Sequence, residues 1–148
     1  MAATLDQILL APDVRPNVVA DGQTLIAQEV AGKSGVSGAA IKLAYKTAKA
    51  FAPGYLHNMV DKLLPELATA LDPYWAEFSA SGASGFGDFL AKRGDEVAEA
   101  MLAITDEHAS TSRKAVILKA YGTVRGSAAK HIEAALPAVG ALVEKYAG

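Results

Sequence analysis

Residues 31 to 45, AGKSGVSGAAIKLAY, place Gly32, Gly35 and Gly38 three apart, beside a lysine and ahead of an apolar-periodic segment. Glycines so spaced let backbone N–H groups close around a phosphate, and a lysine adds charge to it. The stretch still fails both phosphate-loop fingerprints, because each needs a strand before the loop and here helical periodicity precedes it. What survives is an anion candidate, Lys33 with Ser37, at the start of the next helix. A plain helix-to-helix turn with a serine N-cap accounts for the same residues.

Other chemistry is sparse. His57, His108 and His131 include no i, i+4 pair, so the helical zinc motif is absent and no metal ligand is assigned. His131 falls on an apolar helix face and reads as a half-buried core residue. His108 closes a helix, where the dipole favours a cation. Asp95, Glu96 and Glu99 gather at a helix start, where negative charge suits the same dipole. GASGFG lacks the nucleophile elbow and its strand. No triad or dyad emerges, so no catalytic residue and no cofactor are assigned, and the chain reads as non-enzymatic.

The richest stretch is DPYWAEFSASGASGFGDFLAKRG, residues 72 to 94. Tyr74, Trp75, Phe78, Phe86 and Phe89 are half of the chain's one Trp, five Tyr and four Phe. On a glycine-rich helical hairpin they plug a core groove, since aromatics bury large area at low entropic cost. The sharper reading makes them the mouth of an apolar ligand site or a face for a partner protein.

Helices must position all of these residues. The composition is alanine-rich with 51% apolar and 20% charged residues, ordinary for a globular chain, and 148 residues suffice for one domain with a real core. Cysteine is absent, which removes disulfides and thiolate sites and suits a cytoplasmic address. A net charge of −2 argues against a large basic field, so no nucleic-acid partner is expected. No secretory signal and no transmembrane segment is read.

Periodicity predicts helices from Thr4 to about Leu10, Val18 to Ala31, Ala39 to Ala52, and from Tyr55 to a kink or break at Pro65. Asp72-Pro73 then starts a short aromatic helix, Tyr74 to Ala80. Further helices are expected at about Gly87–Lys92, Glu96–His108, Arg113–Val124 and Ser127–Tyr146, the last interrupted by Pro137.

The halves look alike. RPNVVADGQTLIAQEVAGKS aligns with RGDEVAEAMLAITDEHASTS, AIKLAYKTAK with VILKAYGTVR, and LLPELATAL with ALPAVGALV, pairing Tyr45 with Tyr121 and Pro65 with Pro137. The expected architecture is an all-α bundle of about 7–9 helices in one domain, 1–148. Two pseudo-twofold-related three-helix repeats, about 15–71 and 93–147, would be joined by the aromatic connector 72–92. Antiparallel hairpins in such repeats would pair Asp21 with Lys49 and Glu99 with Arg125. Gly22 and Gly140 align with Ala100 and Ala68, so alanine at either position should stabilise its helix.

Taken together, SGVSGAAIKLAY, LLPELATALDPYWAEFSASGASGFGDFL, GDEVAEAMLAITDEHA and ALPAVGALVEKY resemble a family of small, alanine-rich actinobacterial proteins classed as a domain of unknown function. The resemblance implies a high-GC Gram-positive source and a cytosolic protein, and carries over no activity, ligand or site residue. Two functions stay open. One is a helical protein acting through protein contacts, with a second copy or another protein as partner. The other is a small binding module holding an apolar or anionic ligand between the repeats.

Overall fold

Thr4 supplies the first start signal. Its hydroxyl accepts from the Gln7 N–H while the Gln7 side chain accepts from the Thr4 N–H, a reciprocal capping box that opens α1 (Leu5–Leu9). The computed structural model describes residues 3–147, and among these there are seven α-helices and no strand. The others are α2 (Arg15–Ala31), α3 (Gly35–Phe51), α4 (Tyr55–Ser81), α5 (Phe86–Ala91), α6 (Gly94–Thr111) and α7 (Ala115–Ala147).

Two expected interruptions do not occur. Pro65 and Pro73 both lie inside α4, so Asp72-Pro73 opens no new helix. A proline removes one N–H and leaves the carbonyl four residues earlier without its helical donor. For Pro65 that carbonyl belongs to Asp61, and Arg15 of α2 supplies the replacement. Its Nη2 donates to the Asp61 carbonyl at 2.9 Å while its Nε donates to the Asp61 carboxylate at 2.9 Å. Asp72, released from the capping role expected of it, accepts from the Leu5 N–H at 2.8 Å and so holds α1 against α4.

The second merger is α7. The segments expected at Arg113–Val124 and Ser127–Tyr146 form one helix of 33 residues, running through Gly122, Gly126 and Pro137. Between α3 and α4 the first half spends extra residues on a break at Pro53-Gly54, where Gly54 takes φ +74. The second half has no proline there, and the helix continues. The first half therefore has three helices after α1 and the second half two, so a three-helix unit on both sides is not what the chain builds.

The buried cluster draws on α1, α2, α4, α5, α6 and α7, from Leu5 and Leu9 through Val18, Leu64, Leu71, Phe86, Leu90 and Val97 to Leu136 and Val143. It leaves out α3, whose one buried residue is Gly38. The main buried cluster therefore lies away from α3, which packs chiefly on α7.

Candidate interaction surface

The five aromatics of the connector sit in or against the main buried cluster. Tyr74, Trp75 and Phe78 lie on the last two turns of α4. Phe86 and Phe89 lie on α5, which folds back through a turn whose Gly82 and Gly85 both take positive φ. Phe86 is fully buried, with its ring centroid 5.0 Å from Trp75 edge-to-face and 5.2 Å from Phe78. Phe78 also meets Phe89 at 5.5 Å. These separations are those of favourable aromatic pairs, so four of the five rings stack onto one another. Tyr74 lies at the margin. The Arg93 guanidinium sits 6.0 Å from its ring and 5.4 Å from that of Phe89, and also pairs with Glu77. Burial and then the Glu96 carboxylate push the Tyr74 hydroxyl above its ordinary pKa, so it is no base near neutrality. The Trp75 Nε1 is buried and finds no acceptor among the described residues.

The anion candidates are placed differently. Lys33 pairs with Glu29 one turn back at 3.6 Å, and its side chain is only 13% exposed. Its own backbone presses on Gly38, where a Cβ would lie 2.9 Å from the Lys33 carbonyl carbon. Ser37 is half-buried in the first turn of α3. The glycine-rich stretch is a turn between α2 and α3, and Ser34, at the cap position, makes no side-chain capping bond.

Neither expected cross-helix pair forms. Asp21 accepts from Lys145 at 2.7 Å and from the Tyr146 hydroxyl, both on the last turn of α7. Those donors, Lys145 first, hold its carboxyl below the usual carboxylate range. Arg125 bypasses Glu99 and grips Asp106 with two bonds of 2.8 and 2.9 Å. The Tyr121 hydroxyl also donates to Asp106, and Thr105 shares a hydrogen bond with that hydroxyl at 2.7 Å. Arg125 and then Tyr121 keep Asp106 ionised well into acid. Because α6 runs on to Thr111, its turn into α7 falls later than residue 111, and the pairing shifts toward it. The cluster ties α6 to α7, and it offers no nucleophile.

What sequence reading missed is the α3–α7 layer. Ala40, Leu43, Ala44 and Thr47 of α3 face Val116, Lys119, Ala120 and Thr123 of α7 across an open groove of 350 Å³. Val36, Leu43 and Val116 are 91%, 63% and 55% exposed, and Leu43 and Val116 line this groove. Each lining residue of α3 has a lining residue of α7 76 positions on, the offset that separates Tyr45 from Tyr121.

Charge is segregated onto the same layer. Residues 30–60 and 108–132 contain no Asp or Glu, yet they hold nine of the fourteen Lys and Arg, leaving five among the sixteen acids elsewhere. Lys33 and Arg125 are paired. Lys42, Lys46, Lys49, Arg113, Lys114, Lys119 and Lys130 are exposed, and among the described residues none is in an ion pair. A net charge near zero hides this polarity. The signal was in the sequence, as two long acid-free stretches, and whole-chain bookkeeping averaged it away.

The profile of a family of unknown function, DUF6918, matches residues 5–147, and the chain belongs to that family. No curated protein and no solved structure matches it. No described helix is long and apolar enough to cross a membrane, and no group of three or more described His, Asp or Glu side chains is arranged to hold a metal ion.

Proposed function

We propose that this member of the family works by docking a partner protein on its α3–α7 face rather than by catalysis. One observation carries the reading: exposed apolar side chains and unpaired cations coincide on this face. Leaving Leu43 and Val116 more than half exposed forgoes roughly half of the about 1.5–3 kcal/mol that full burial of such a side chain contributes, a cost that a covered face would recover. Trp75, Phe78, Phe86 and Phe89 take the bland role, packing α5 on α4, because their rings already cover one another.

A photo-crosslinking residue at position 43, expressed in the native host, tests this. It should give a discrete protein adduct that the same residue at exposed Ala103 of α6 does not give. Adducts of equal yield and diversity at both positions, or none at position 43, would refute the docking reading.

A further inference from the structure

We infer that the partner presents an acidic amphipathic helix, which lies in the α3–α7 groove with its carboxylates against the lysine rim; this rests on the docking reading above. The groove floor is Ala40, Ala44 and Ala120, side chains short enough for another helix to approach closely. Leu43 and Val116 form its apolar walls. From position 40 to position 47 is two helical turns, about 10 Å, which suits anchors at i, i+3 or i+4, and i+7 of a docked helix.

Charge settles the flanks. On a helical projection of about 100° per residue, Lys46 falls about 80° from the centre of the Val36–Leu43–Thr47 stripe and edges the groove. Lys42 and Lys49 turn away from it at about 120° and about 140°, and Lys119 stands on the opposite wall. No acid lies within residues 30–60 or 108–132 to neutralise them, so glutamates flanking an apolar stripe meet unopposed cations. A second copy fits badly, since a twofold contact through this face sets lysine rim against lysine rim. A bilayer also fits badly, because its surface cannot reach an alanine floor sunk between two helices.

The probe is a labelled peptide of about 18 residues, helix-favouring, with one leucine stripe and glutamates on both flanks. A control peptide carries lysine at every glutamate, and vesicles of about 30% phosphatidylglycerol in phosphatidylcholine form a third arm. Fluorescence anisotropy should show saturable binding of the acidic peptide, weakened about tenfold between roughly 0.05 and 0.5 M salt. Lys46→Glu with Lys119→Glu should weaken it about tenfold at low salt, and Leu43→Asp at least as much. All three sites are exposed, so the unfolding midpoint should hold, and Lys42→Glu with Lys49→Glu, on the far side of α3, is the charge-matched control that should weaken binding far less.

Equal binding of both peptides, or indifference to the charge reversals, would overturn the inference. So would cosedimentation with the vesicles without peptide binding, which would make the face a membrane surface. A discrete adduct at position 43 with no affinity for the acidic helix would sink this inference and leave docking intact. The absence of any such adduct would sink docking itself.

Discussion

Helices α1 and α5 are five and six residues long, and each lies on a long helix, α1 on α4 and α5 on α7. Each buries two large side chains four apart, Leu5 with Leu9 and Phe86 with Leu90. Each also has its first N–H taken by a carboxylate of the helix beneath, Leu5 by Asp72 and Phe86 by Glu144 at 2.9 Å. They differ in how close they come. A Cβ on Gly87 of α5 would lie 2.6 Å from the Pro137 carbonyl oxygen, and one on Gly140 of α7 would collide with the Gly87 backbone. At the position aligned with Gly140, α4 carries a buried Ala68, whereas α5 rests backbone on backbone against Gly140. The same docking scheme thus tolerates two separations, and a single glycine marks the tighter one.

That contrast is open to direct attack. Phe86→Ala should be the most damaging change, about 3–5 kcal/mol in chemical denaturation, with Leu5→Ala at about 2–5 kcal/mol. A loss under about 1 kcal/mol for Phe86→Ala would mean that α5 is not part of the core. Gly140→Ala should cost about 3 kcal/mol, because backbone cannot yield as a side-chain tip can. The helix-propensity expectation was a gain at this position, and the α5 contact overturns it. At Gly22 the added Cβ would meet only the Val60 Cγ1, at 3.2 Å, so Gly22→Ala should fall near zero rather than give a clean gain.

Smaller effects sharpen the comparison at the caps. Glu144→Ala should cost about 1 kcal/mol and Asp72→Ala less. Helix α1 keeps its Thr4–Gln7 box when Asp72 is lost, whereas Gly85 gives α5 no side-chain cap. Equal losses in paired melting curves would contradict this account of the caps.

The smallest contrast is between His131 of α7 and Met59, its aligned residue on α4. The His131 Nε2 is buried without a partner among the described residues, and burial, then Lys33 and Lys130, lower its pKa below the ordinary 6.5. A lowered histidine pKa means the folded state binds fewer protons, so its contribution to stability falls as pH drops below 6.5 toward the folded value. His131→Met should flatten that acid-side slope, and an unchanged slope would show that His131 ionises freely when folded.

Legibility followed locality. Helix identity was readable from caps and period, as at Thr4, and so were the all-α class and the membership in a family of unknown function. Helix continuity was not, because Pro65 is tolerated through a donor from a residue 50 positions earlier, and Pro137 lies in a helix whose neighbour is α5. Glycine meaning was not readable either, since Gly140 looked interchangeable with Ala68 until α5 arrived across the sequence. The aromatic stretch drew attention because aromatics are conspicuous. The α3–α7 face escaped it because alanines, threonines and scattered lysines announce a surface only once two segments 76 residues apart lie side by side.

The Arg15–Asp61 contact makes the length of α4 a collective property. A peptide of residues 55–81 alone carries two prolines and no guanidinium to stand in for the lost donor, so it should fray or bend near residue 61. In the intact chain α2 supplies that donor, so the 27-residue helix against which α1, α2 and α6 pack is completed by one of the helices it supports. Scaffold and cargo are therefore not separable here: the carbonyl that Pro65 orphans in α4 is satisfied from α2.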